Sequence, residues 1–288
     1  MQIKFKNLIH NPILDSSKYK NNQHYKISET LTYNFNAPIK NSQAFVLSCF
    51  ATSIDGKLCY PDKQSGFNIA KDNLHATQEE RYADWWILSL ARSVSDAVII
   101  GSNSLMIENG EYTATIDINE LKDFRKQLNK PEQLLHVIIC RDANKIDWSS
   151  QHIIQTTSIP IVIFTLNKPQ ELPSNIQTTE RFNNNLQKQL IVLDNLDITK
   201  IIDILYSSGI QTILNESPYY HHELLKERLL DELWINTSGV YIGGNVASLG
   251  HINSSFTSST HPHFSILTLD CLGYNFLYAR YKITYEVK

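Results

Sequence analysis

The 288-residue chain carries 26 Lys and Arg against 29 Asp and Glu, a formal net charge of −3, so bulk electrostatics gives no reason to expect a nucleic-acid partner. With 42% hydrophobic and 19% charged residues, it holds enough apolar material for a sizeable core, which excludes a disordered chain. No apolar run approaches the roughly 20 residues of a membrane helix, Met1 to His10 shows no secretory signal, and four scattered cysteines without a Cys-x-x-Cys pair point to a reducing, cytoplasmic setting.

Residues 1–43, rich in Asn, Lys, Tyr and Ser with little periodicity, read as an N-terminal extension ahead of a domain spanning 44–288. That domain opens on a strand, Ala44 to Phe50, followed by an Asp55-Gly56 turn that puts Asp55 at the strand's end. The pattern of Tyr82, Trp85, Trp86, Leu88, Leu90 and Ala91 predicts a helix over Gln78 to Val94. It delivers the chain into Ala97-Val-Ile-Ile100, the continuous β-branched run of a buried parallel strand.

Gly101 ends that strand, and Ser102, Asn103 and Ser104 open the next helix. A glycine lets a ligand approach without meeting a Cβ, and a helix start can seat a phosphate. In open α/β sheets ligands bind past the carboxyl ends of the strands, where this turn sits.

A helix from Ile118 to Leu128 and strands at 134–140 and 159–165 follow; the strands end on Arg141 and Thr165 at the same edge. After a loop-like stretch, 166–188, come a strand at 189–193, a helix from Asp197 to Ser208 stopped by Gly209, and a strand at 210–214. Asn215-Glu-Ser-Pro218 is the next loop, Tyr219 to Arg228 a helix, and Tyr241 to Asn245 a turn. Consecutive strands at 264–269 and 276–285 without a helix between them predict an antiparallel edge on a mostly parallel sheet. The fold class is therefore α/β.

Several chemistries are missing. The chain has no zinc-deaminase signature, no phosphate loop with a Walker lysine, no Gly-x-Gly-x-x-Gly and no Gly-x-Ser-x-Gly elbow. Apart from Glu223, His221-His222 and His261-Pro-His263 lack Cys or carboxylate partners at ligand spacing, so they are expected in surface or loop roles and no metal site is expected.

The elements nevertheless fit a known order. Ala51-Thr-Ser-Ile-Asp55-Gly56 resembles the Ser-Leu-Asp-Gly element of the riboflavin-pathway pyrimidine reductases. Leu90-Ala-Arg-Ser-Val-Ser-Asp96 running into Ala97 to Gly101 is similar to that family's helix, strand and phosphate turn. Leu229-Leu-Asp-Glu-Leu233, Ile242-Gly-Gly244 and Leu277-Tyr-Ala-Arg-Tyr281 resemble its later motifs. The resemblance implies a dihydrofolate-reductase-like three-layer fold without a deaminase domain, and a homodimer. It also implies an NADPH-dependent reductase acting on a small pyrimidine- or pterin-like molecule.

On that resemblance Gly101, Ser102, Asn103 and Ser104 would seat cofactor phosphates, and Arg141 and Thr165 would serve the adenosine side. Asp55 would be the catalytic residue and contact substrate, together with Ala70 and Asn215. The family's Glu-Gly-Gly-Pro is replaced by Asn215-Glu-Ser-Pro218. Glu216 and Ser217, standing at cofactor-binding positions, would crowd the approach and bring a negative charge to the pyrophosphate. The alternative is a protein that keeps the fold, has lost catalysis and serves as a binding or assembly subunit.

Overall fold

The β-branched runs do form the centre of the molecule. The computed structural model describes residues 3–15, 42–250 and 254–285, and its strands are β1 (Lys6–His10), β2 (Phe45–Thr52), β3 (Ala97–Gly101), β4 (Leu135–Cys140), β5 (Ile161–Thr165), β6 (Gln177–Thr179), β7 (Lys188–Val192), β8 (Thr212–Asn215), β9 (Glu232–Ser238), β10 (His263–Cys271) and β11 (Phe276–Thr284). They make one sheet in the order β1-β10-β11-β9-β2-β8-β3-β4-β5-β7-β6. The run from β9 to β6 pairs in parallel, and β11, β10 and β1 add to it antiparallel. The mostly parallel sheet with antiparallel C-terminal strands is as the sequence predicts.

The helices are α1 (Asn68–Lys71), α2 (Gln78–Val94), α3 (Ser102–Ile107), α4 (Asn119–Gln127), α5 (His152–Gln155), α6 (Ile198–Ser207) and α7 (Pro218–Lys226). Alternation along each strand sends its side chains to two separate cores. Val98, Ile100 and Ile138 pack with Trp86, Leu90 and Phe124 of α2 and α4, whereas Ile99, Val137 and Ile139 pack with Ile201, Leu205 and Leu224 of α6 and α7. Three layers result, helices on each face of the sheet.

Two of the quoted motifs turn out to serve this framework. Glu232 and Arg280 form a buried ion pair, Nη2 to Oε2 2.9 Å, with Trp234 Nε1 donating to the same carboxylate at 2.9 Å and the guanidinium lying over the Trp234 ring. Asp231 accepts from the Val46 amide and Asp96 from the Gln211 and Thr212 amides, so acidic residues fix where the parallel strands β2 and β8 begin.

Some expectations are corrected. Lys6–His10 is a strand on β10, fully solvent-facing and so without the apolar alternation that reveals a strand. Phe5 just before it packs edge-on to Tyr278; the rest of the extension from residue 16 to 41 lies outside the described residues. Both C-terminal strands are paired on each side within the sheet, β10 with β1 and β11, and β11 with β9. His221 and His222 are buried, not surface residues, because they lie on the inward face of α7 with Leu224 and Leu225. All four cysteines are free; Cys59 is buried, while Cys271 is half-exposed.

Because the Glu232–Arg280 pair is buried, removing one partner strands a charge. Glu232→Ala should cost about 3 to 5 kcal/mol in urea unfolding, and the double variant Glu232→Leu/Arg280→Met should recover most of that loss.

Candidate active site

A cleft of about 1410 Å³ opens at the carboxyl ends of the parallel strands. Its outer arm is lined by Gly101 to Ser104, by Arg141 at the end of β4, and by Glu216, Ser217 and Pro218 between β8 and α7. Its inner end, toward β2 and β9, is lined by Cys49, Phe50, Phe67, Asp84, Leu88 and Asn236.

Seven of the predicted residues meet here: Gly101, Ser102, Asn103, Ser104, Arg141, Glu216 and Ser217. Four others do not line the cleft. Asp55 is spent on its own turn: Oδ1 accepts from the Ser53 hydroxyl at 2.6 Å and the Ile242 amide at 3.1 Å, and Oδ2 from the Gly243 amide at 2.8 Å. The Ser53 hydroxyl, with those amides, holds its carboxyl down to about 2. Asp55 thus ties its turn to the loop whose Gly243 and Gly244 sit at positive φ. Ala70 is turned into the core by the short α1. Asn215 is fully buried, donating to Ser48 Oγ and the Ser217 carbonyl and accepting from the Ser217 amide. Thr165 is buried against Asn167, and Leu166 reaches the cleft in its place.

Glu216 does not leave a bare charge in the cleft. Arg92 holds it with two bonds, Nε to Oε1 2.7 Å and Nη2 to Oε2 2.8 Å, and Tyr112 donates to Oε2 at 2.7 Å. Burial alone would raise this carboxyl, but Arg92 and Tyr112 together hold it below the usual carboxylate range. The Arg92 guanidinium in turn lies 5.3 Å from the Trp85 ring centroid. Arg92 sits on the α2 stripe Leu88, Ala91, Arg92, where helical spacing predicts an apolar residue. A charge in that stripe is the sequence signal for a buried partner.

Ser217 fills the space that Gly101 leaves: a Cβ built on Gly101 would lie 3.0 Å from Ser217 Oγ. A side chain at this position would make Ser217 give way by a few tenths of an ångström. Beside it, α7 starts at Ser217 with no side-chain cap and with Pro218, which has no amide hydrogen, at its first position. The lining of the cleft also includes five carboxylates, Glu108, Asp194, Asp197, Glu223 and Glu227; of these, Asp197 caps α6 through the Thr199 amide and Glu223 pairs with Lys226.

Asp84 is the residue the sequence reading missed. It is only 8% exposed, its Oδ1 accepts from Asn236 Nδ2 at 2.8 Å, and burial pushes its carboxyl up to about 6. The signal was present, since Asp84 stands with Ile87, Leu88 and Ala91 on the inward stripe of α2.

Two outcomes follow from these contacts. Gly101→Ala should destabilise the chain in denaturant unfolding and be rescued by Ser217→Gly, the double variant costing less than the sum of the two singles. Asp84 has a folded pKa above its unfolded one, so its contribution is full below about pH 4 and lost as pH rises through about 6. Asp84→Asn should then be more stable than the parent by about 2 to 3 kcal/mol at pH 7.5, with the gain vanishing near pH 4 in parallel thermal melts.

The fold has known counterparts. Acinetobacter baumannii RibD superposes with a TM-score of 0.60 at 16% identity, over 85% of this chain and 59% of that one. A Corynebacterium diphtheriae pyrimidine reductase-like protein matches with a TM-score of 0.61 at 15% identity, over 85% and 94% of the two chains. A Thermotoga maritima deaminase/5-amino-6-(5-phosphoribosylamino)uracil reductase matches with a TM-score of 0.61 at 16% identity, over 84% and 57%. The chain thus spans under two thirds of the two RibD-type proteins, and the fold shared with all three is dihydrofolate-reductase-like. No curated protein sequence matches it. The RibD C-terminal domain model matches residues 44–258, and the chain belongs to that family.

Proposed function

We propose that the chain is a nicotinamide-dependent reductase, with NADPH as cofactor, acting on a small pyrimidine- or pterin-like substrate in the manner of 5-amino-6-(5-phosphoribosylamino)uracil reductase. The observation that carries the proposal is the convergence of Gly101 to Ser104, Arg141 and the uncapped start of α7 on one cleft at the carboxyl edge of the sheet. These groups fit a dinucleotide. The positive end of the α7 dipole and the Ser102 and Ser104 hydroxyls suit a pyrophosphate. Arg141 suits a 2′-phosphate. The pairing of Glu216 with Arg92 and Tyr112 removes the unpaired charge that would oppose phosphates most directly.

The cofactor supplies a hydride when bound; the protein's part is binding, orientation and exclusion of water. Phe50, Phe67 and Leu88 wall the inner end, where a flat heterocycle would lie against apolar surface and away from bulk water. Ser217 narrows the corner over Gly101, so phosphates would bear on the helix start and the Ser102 and Ser104 side chains and not on the Gly101 backbone. We place the protein in the cytoplasm as a homodimer; no described helix is long and apolar enough to cross a membrane.

A second reading, a binding or assembly subunit without turnover, is favoured by the internal bonding of Asn215 and by the five carboxylates that line the cleft, unfavourable to a phosphate-bearing ligand. Titration of NADPH and NADH followed by tryptophan fluorescence separates the two. The reductase reading expects micromolar NADPH binding, weakened about tenfold by Arg141→Ala with a smaller loss for NADH. Absence of binding at millimolar concentrations of either nucleotide contradicts it.

A further inference from the structure

We propose that His136 pins a strap, residues 109–118, and that through Tyr112 this strap sets the Glu216 carboxylate in the wall of the cleft, which makes His136 a positioning residue. The inference rests on the reductase reading only for the statement that the ligand so positioned is NADPH.

The strap joins α3 to α4 without helix or strand. Its inward residues alternate: Tyr112, Ala114 and Ile116 are buried, and all three belong to the core on the α2 side of the sheet. It lies on that core as an extended chain, every second side chain inward, yet it has no neighbouring strand. Among the described residues, 112–117 make no hydrogen bond to another backbone group. A buried amide without a partner is costly, and Ala114 is fully buried. A side chain meets its amide instead, which donates to His136 Nε2 at 3.2 Å.

His136 is set up to accept that bond. It stands on β4 two residues before Ile138, so the two share a sheet face, and it is closed to solvent. Its Nδ1 lies 3.0 Å from the Leu134 carbonyl. A carbonyl only accepts, so Nδ1 carries the proton and Nε2 the lone pair. Both contacts ask for the same neutral tautomer. Burial favours it by lowering the ring's pKa to about 4; Arg92 and Lys188 push the same way, against the Leu134 carbonyl and Glu216.

Two residues before Ala114, Tyr112 lines the cleft with Glu216 and donates to its Oε2 at 2.7 Å. The start of the strap is tied by the His152 amide, which donates to the Gly110 carbonyl at 2.9 Å, and its end by the first turn of α4, where Leu121 donates to the Ile118 carbonyl at 3.0 Å. Between these ties, His136 supplies the bond to the backbone. Without that acceptor the Ala114 amide must find water, and Tyr112 moves with it away from Glu216.

The test compares His136→Gln, whose side-chain carbonyl can reach the Ala114 amide, with His136→Leu, which fills the space without an acceptor. Amide hydrogen exchange on the full chain should quicken about tenfold or more over 109–118 in His136→Leu, stay near the parent in His136→Gln, and be unchanged over α6 and β7 in both. The Glu216 carboxyl, followed by carbon NMR, should titrate higher in His136→Leu, because Arg92 then holds it without Tyr112. NADPH affinity should fall about tenfold in His136→Leu and recover in His136→Gln.

A nitrogen NMR spectrum of the parent requires no variant to fold: the proton on Nδ1 is expected, and a proton on Nε2 or a charged ring at neutral pH would overturn the proposal. So would parent-like strap exchange in His136→Leu, equal loss of protection in the two variants, or fast exchange with the Glu216 titration unmoved. NADPH bound equally by the parent and His136→Leu would overturn it as well. No NADPH binding in the parent, with exchange and titration as expected, leaves the pin standing and removes the reductase reading; NADPH binding with strap exchange unchanged does the reverse.

Discussion

The cleft depends on one buried contact, the double hydrogen bond from Arg92 to Glu216 with Tyr112 on the same carboxylate. Buried ion pairs return their desolvation cost only when geometry and further hydrogen bonds are good. Here a bidentate fork, a phenol and the Trp85 ring supply those conditions. The contact joins the last turns of α2 to the loop between β8 and α7. It thereby fixes where Ser217 sits against Gly101 and where α7 begins. A glutamate standing at a family glycine thus becomes part of the wall and not an obstacle in the cavity.

The cleft divides accordingly. Its outer arm collects groups suited to phosphates, while the inner end holds apolar walls and one uncompensated carboxyl, Asp84. Strand order explains the division: β3 and β4 carry Gly101 and Arg141 on one side of β8, and β2 and β9 carry Cys49 and Asn236 on the other. A ligand long enough to span the two would cross the carboxyl end of β8, where Glu216 and Ser217 stand.

The sequence made the framework legible because burial on both sheet faces leaves continuous β-branched runs. The helix over Gln78 to Val94 is found with both ends as predicted, since Thr77 and Glu80 form a capping box there. Strand ends showed which residues reach the ligand edge, but not which way their side chains turn. Arg141 faces the cleft, whereas Thr165 and Asn215 turn inward, and an extra residue of loop brings Leu166 and Glu216 forward instead. Asp55 was drawn to the site by motif likeness, although its carboxylate is saturated by the backbone of a loop almost two hundred residues away. Asp84 and Arg92 were visible as charges on an apolar stripe, but their purpose depends on partners from β9 and the β8–α7 loop that no local pattern specifies.

The central claim is that a dinucleotide's phosphates rest where α7 begins, beside Ser102 and Ser104. A crystal structure of the chain grown with NADPH tests it most directly. The account predicts phosphate oxygens at the start of α7 and within hydrogen-bond distance of the Ser102 and Ser104 hydroxyls, the 2′-phosphate at Arg141, and Glu216 still held by Arg92. Density for the nucleotide elsewhere, or an outer arm that stays closed by Ser217 at saturating cofactor, would contradict it.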